Sequence, residues 1–215
     1  MPGSEDSRSR SAHVMAPHTW QSARLLESVF QVNEHLISAL IEMARHGCVS
    51  NVLVRQNADG LRRMDLAACK RAARIPVILL DLHFQRADWW RIVGRPNGEY
   101  RATAPVSSSL PTDYAAELAR ESLIVAWLAV QRARRSANLL FGMSDAVANL
   151  IGELTAQQLN RIAERSSHEL RIRWQSRPEF WRKLIVAGQS GNANDLCEIH
   201  LFGLQLLGGE LINVS

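Results

Sequence analysis

The chain says nearly the same thing twice. Gln85-Arg-Ala-Asp-Trp-Trp-Arg91 returns as Gln175-Ser-Arg-Pro-Glu-Phe-Trp-Arg182, and the two align if one residue is dropped after the glutamine. Upstream, Leu80-Asp-Leu-His-Phe-Gln85 lies over Leu170-Arg-Ile-Arg-Trp-Gln175, and Arg71-Ala-Ala over Arg161-Ile-Ala. The copies stand about ninety positions apart, the mark of an internal duplication, which is the first thing to settle in reading a fold. A duplicated unit can make within one chain the interface that a single-copy protein makes by pairing.

At 215 residues and 47% hydrophobic, the chain is long enough for one large core or two small ones, and two repeats fit the second option. Its formal charge of +4 is carried almost wholly by arginine, since Lys70 and Lys183 are the only lysines. Arginine suits bidentate pairing with phosphate or carboxylate, although coding bias or a plain solvated basic face gives the same excess. Cys48, Cys69 and Cys197 form no CxxC and no metal spacing; each sits in apolar helical context and is expected to be a reduced core thiol. The N-terminus has no signal-peptide pattern and no apolar run is long enough to span a membrane, so a cytoplasmic protein is expected.

The composition divides the chain into a Ser/Arg/Pro/Gly-rich disordered leader (1–20), a first repeat (21–94), a Pro/Ser/Gly linker (95–112) and a second repeat (113–212). In the first repeat, Leu25, Leu26, Val29, Val32, Leu36, Leu40 and Met43 recur at helical spacing over 22–45. A short helix over 49–55, ended by Asn57-Ala-Asp-Gly60, is expected next, then one capped by Asp65 and stopped near Pro76. Residues 78–84 read as a short strand, and 88–93 as a helix. In the second repeat a long helix covers 114–140, and Phe141-Gly-Met143 turns the chain. Ser144 and Thr155 then cap two short helices across a tight turn, the helix-turn-helix pattern. Residues 170–174 alternate like a strand, Pro178 opens a helix to about Val186, 188–194 form a loop, and 193–207 close with an amphipathic helix.

Enzyme motifs are missing: the sequence holds no HExxH, Walker loop, GxSxG or GxGxxG, and its seven histidines are scattered. His35 and His200 are expected to be packed, hydrogen-bonded histidines. Carboxylates such as Asp65, Asp88, Asp113, Asp145 and Glu179 fall at helix starts, where capping and the helix dipole explain them. No catalysis, cofactor or metal is expected. Trp174, Phe180 and Trp181 are interleaved with Arg171, Arg173, Arg177 and Arg182, which could suggest base stacking. Duplicated aromatics more often mean a duplicated core, so Trp90 and Trp181 are expected inside. Arg132, Arg134 and Arg135 end a helix, where cations are favoured anyway, but also lead into the helix-turn-helix. Arg161 and Arg165 lie on its second helix, the element that enters the major groove in DNA readers. These residues, with Arg171 and Arg173, form the candidate DNA-binding set.

The second copy resembles the flagellar master regulator family FlhD. The similarity covers most of residues 120–212, through Leu128-Ala-Val-Gln-Arg132, Ser136-Ala-Asn-Leu-Leu-Phe-Gly-Met143, Ile151-Gly-Glu-Leu-Thr155 and the Leu159–Glu164 helix. It continues into Leu170-Arg-Ile-Arg-Trp174 and the last helix around Asp195-Leu-Cys-Glu-Ile-His200. Residues 30–93 are a more diverged version that lacks the Phe-Gly-Met turn. Tandem chains of this kind resemble the FlhDC-type activators of integrating conjugative elements. The resemblance implies a mainly helical fold, dimeric or hetero-oligomeric assembly and transcription activation through a promoter-bound complex. In the flagellar system the partner subunit FlhC carries a cysteine zinc site and makes much of the DNA contact. This chain has no such cysteine set, so it is similar to the FlhD type of subunit.

The expectation is therefore a mainly α protein of two tandem FlhD-like repeats, each with a helix-turn-helix-like core and one short β-strand, forming an intramolecular pseudo-dimer. Its expected partners are double-stranded promoter DNA, a regulatory subunit or a second copy, and RNA polymerase. The rival expectation is a protein-interaction module, an antiactivator or co-regulator, that does not touch DNA.

Overall fold

The structure, a computed structural model, describes residues 17–48, 50–95 and 110–212. It is mainly helical, with one two-stranded sheet. The order is α1 (Pro17–Arg45), α2 (Val52–Arg62), α3 (Leu66–Ala73), β1 (Leu80–Asp81), α4 (Ala87–Val93), α5 (Thr112–Phe141), α6 (Asp145–Gly152), α7 (Ala156–Ser166), a 3-10 turn (Ser167–Glu169), β2 (Arg171–Ile172), α8 (Pro178–Ser190) and α9 (Ala193–Ile212). Helix–helix–helix–strand–helix thus occurs twice, and α9 follows. Most of the expected leader and linker lies outside the described residues. Where they are described they are shorter than expected, because α1 already begins at Pro17 and Leu110 is buried ahead of α5.

The capping chemistry repeats along with the order. The side chain of Asn51 accepts from Val54 N at 3.0 Å to start α2, and that of Ser144 accepts from Val147 N at 3.3 Å to start α6. Asp65 accepts from Ala68 N at 2.7 Å to start α3. Thr155 and Gln158 form a capping box at α7. Each such cap satisfies a backbone donor that the helix cannot, an effect of about 1 kcal/mol. Between the paired helices run three-residue turns, Arg63-Met64-Asp65 and Glu153-Leu154-Thr155. A helix, a three-residue turn and a second helix therefore follow one another in both halves.

Several expected boundaries move. Asn57-Ala-Asp-Gly60 does not end α2 but lies within it: Asn57 turns inward and donates to Leu53 O at 2.9 Å. A Cβ at Gly60 would stand 3.0 Å from Ile185 Cγ2, so that glycine lets α8 come close. Both strands shrink to two residues, α8 extends to Ser190 and α9 to Ile212. The long α5 is broken at Ala133 (φ −155°, ψ 72°), so its last residues lean on α6.

A single core holds the two halves, built from interlocked elements rather than two separate globules. α1 lies along α5, α8 packs on α2 and α3, and α4 packs on α6. β1 pairs with β2 antiparallel, Leu80 opposite Ile172 and Asp81 opposite Arg171. Trp89, Trp90, Phe180 and Trp181 are fully buried, as their recurrence suggested. Cys69 is buried, whereas Cys48 is only partly so and Cys197 is exposed, because its position in α9 faces away from the core.

The two strand segments also match in burial. In the strands, buried Leu80 and Leu82 match Leu170 and Ile172, ninety positions on, with the less buried Asp81 and Arg171 between them. From the left-handed residues onward (His83 and Trp174, both at φ 54°) the spacing is ninety-one. The helix caps Arg86 and Arg177 and the indoles Trp90 and Trp181 keep it. The spacing of these matching positions thus changes from ninety to ninety-one between Ile172 and Trp174.

Candidate nucleic-acid interface

Arg173 leaves the candidate set. Strand alternation places it beside Arg171 on the outer face, but the strand stops at Ile172 and the chain turns through left-handed Trp174, which drives the guanidinium inward. Only 4% exposed, it donates Nε to Leu80 O at 3.1 Å and Nη2 to Phe141 O, the end of α5. It also pairs with Glu210 on α9 and lies 3.5 Å from Asp81. A guanidinium so engaged by β1, α5 and α9, and so nearly buried, is a structural clasp rather than a phosphate contact. Trp174 reinforces it by donating Nε1 to Glu210 Oε1 at 2.7 Å, so this ring too serves the core.

A second buried polar cluster joins the halves. Glu169, 2% exposed, accepts from His83 Nε2 at 2.9 Å and from Trp89 Nε1 at 3.1 Å. Burial holds the His83 imidazole below its ordinary pKa, against the opposing pull of the Glu169 carboxylate and Asp81. A neutral ring that donates Nε2–H fits this geometry. His35 is hydrogen-bonded as expected, its Nδ1 lying 2.9 Å from Glu121 Oε2. His200 departs from expectation, because its Nε2 is buried with no hydrogen-bond partner among the described residues. Burial and the nearby Arg74 charge hold its pKa down as well.

The other arginines in the set reach solvent. On α7, Leu159, Ile162, Ala163 and Ser166 turn inward, which leaves Gln157, Asn160, Arg161, Glu164 and Arg165 on the outer face. Gln, Asn and Arg are the side chains whose paired donors and acceptors match base edges in the major groove. Gln157 and Asn160 were missed from the sequence, although Gln157 lies four residues before Arg161 and so on its face, and Asn160 is exposed beside it. Arg132, Arg134 and Arg135 are exposed around the break in α5. Arg134 is anchored on Asn149 of α6, which ties this basic run to the first helix of the helix-turn-helix. Gln131 Nε2 strengthens the tie by donating to Gly152 O at 2.7 Å, as does Trp127 Nε1 to Leu154 O at 2.9 Å.

Arg171 is exposed on β2. It lines a cavity of about 320 Å³ with Asp81, His83, Gln85 and Arg86, where carboxylates and guanidiniums mix. The exposed members of the set thus lie on α7, toward the end of α5 and on β2. No helix of the described residues is long and apolar enough to cross a membrane. No family model matches the chain, nor does any curated protein or solved structure.

Proposed function

We propose that this chain is a cytoplasmic, DNA-binding transcriptional regulator rather than an enzyme. In this reading it is an activator subunit of the FlhD type, with two helical repeats joined as a pseudo-dimer, that acts on conjugative-transfer or flagellar promoters. It works with a partner subunit or a second copy, and with RNA polymerase. The observation that carries the reading is α7: a capped helix after a three-residue turn, apolar inward, with Arg161, Arg165, Gln157 and Asn160 outward. That is the form a recognition helix needs. Support for the pseudo-dimer is the doubled element order, the doubled caps and the pairing of β1 with β2.

A mobility-shift titration of the full chain against DNA upstream of its neighbouring genes, at low salt and with or without a co-expressed partner, tests this. A shift that weakens in the Arg161→Ala/Arg165→Ala variant, with unchanged circular dichroism, is expected. No shift under any of these conditions would sink DNA binding.

The second reading, a protein-interaction module, draws on α9, where Leu201 is 56% and Leu204 42% exposed on a helix that is apolar nearly all round. Salt separates the two. DNA affinity falls steeply with ionic strength through counterion release, whereas an apolar helix contact barely changes.

A further inference from the structure

Three arginines beyond the candidate set are gathered by the fold from separate elements. Arg55, Arg63 and Arg182 line a groove of about 350 Å³ between α2 and α8, together with Gln56, Asp59 and Val186. All three arginines are exposed. Asp59, the carboxylate of the groove, is held by Arg62 at 3.1 Å, which moderates its repulsion of an anion. The walls are fixed: Gln189 Nε2 donates to Gly60 O at 2.8 Å, and Arg71 Nε to Gly188 O at 2.8 Å. Anchored walls fix the backbone from which the three guanidiniums extend, as a preformed anion seat requires.

The basic residues of α2 have no counterpart in α6, whereas Arg182 of α8 matches Arg91 of α4. α6 holds the place in the second run that α2 holds in the first, yet α6 has no basic residue and carries Asp145. The residue that closes α2 is Arg63, and the one that closes α6 is Glu153.

We propose that the α2/α8 groove, through Arg55, Arg63 and Arg182, seats the phosphodiester backbone of double-stranded DNA. The proposal rests on the reading of the chain as a DNA binder and would supply a sequence-independent grip. Guanidiniums pair two-pronged with phosphate oxygens, and such pairing fixes register on the duplex without reading bases.

The test is fluorescence anisotropy of the full chain on a 30-base-pair duplex from its upstream region and on a scrambled duplex, over a salt series. The variant is Arg55→Gln/Arg63→Gln/Arg182→Gln, which keeps much of each aliphatic stem. Its slope of log affinity against log salt should become shallower by about 0.9 for each phosphate that is no longer neutralised, equally on both duplexes. Arg182→Gln alone should give about one third of that effect, which keeps the test decisive if the triple variant does not fold. If slope and affinity stay at wild-type values while Arg161→Ala/Arg165→Ala loses binding, the groove is overturned and the DNA reading stands. If the wild type binds neither duplex, both fall. Loss of inorganic pyrophosphate binding in the variant with duplex binding intact would make the groove a small-anion site and also overturn the proposal.

Discussion

His83 and Trp174 adopt the same rare backbone conformation, φ 54° in each, at matching points after β1 and β2. A non-glycine residue in the left-handed region costs on the order of 1–3 kcal/mol. Both turns are closed alike, Arg86 N donating to His83 O at 2.9 Å and Arg177 N to Trp174 O at 2.8 Å. Ring packing offsets the cost: His83 lies 4.9 Å from Trp89 between centroids, and Trp174 4.6 Å from Phe180. The turns swing α4 and α8 back so that Trp90 donates to His83 O and Trp181 to Arg173 O.

Trp90 and Trp181 should therefore behave as core residues. Replacing either by alanine is expected to lower unfolding free energy by about 3–5 kcal/mol in urea titrations. Trp181→Phe, which keeps most of the ring, should leave duplex affinity unchanged. A stacking role would instead appear as binding weakened by about 1–3 kcal/mol with stability intact.

Arg171 and Arg173 are two residues apart and should part company in experiment. Arg173→Met strands Asp81, Glu210 and two backbone carbonyls, and is expected to destabilise by about 3–5 kcal/mol. Arg171→Met should stay within about 0.5 kcal/mol of wild type in stability. Denaturant midpoints of the two variants decide the matter, and comparable destabilisation in both would contradict the assignment.

Acid should weaken the fold from near neutrality. His83 and His200 both have pKa values held below the ordinary histidine value, chiefly by burial. The unfolded chain, with ordinary histidines near pH 6.5, then binds more protons than the native one. Stability is complete above that pH and declines as pH falls from it toward the native values. Thermal midpoints between pH 8 and 5.5 should show the decline. His83→Asn/His200→Leu should flatten it, asparagine being chosen because it tolerates positive φ. An equally steep decline in the double variant would rule out these two groups as its source.

Gly188 should accept no side chain. A Cβ there would stand 2.8 Å from both Ala68 O and Ala72 Cβ, and backbone of a packed helix cannot yield as a flexible side chain can. Gly188→Ala is expected to cost about 1–3 kcal/mol by forcing α8 from α3. The same change at Gly208 meets nothing within 4 Å and should be neutral or slightly stabilising in the helix. Differential scanning calorimetry of the pair distinguishes the two sites.

Local chemistry carried much of the architecture in readable form. Apolar spacing in α1, the side-chain caps Asp65, Ser144 and Thr155, and the proline opening α8 act over a few residues, so they mark helices without knowledge of the rest of the fold. The recurrence of Trp90 as Trp181 pointed to duplicated core positions for the same reason, since burial was implied by pattern alone. The destination of a charged side chain could not be read this way. Arg171 and Arg173 look alike in the sequence, yet the ladder with β1 and the turn at Trp174 send one to solvent and the other to a buried clasp. Arg55, Arg63 and Arg182 form one groove only because α8 crosses from the second half to lie on α2. Periodicity sets which face of an element is apolar, but long-range packing determines what each remaining face meets.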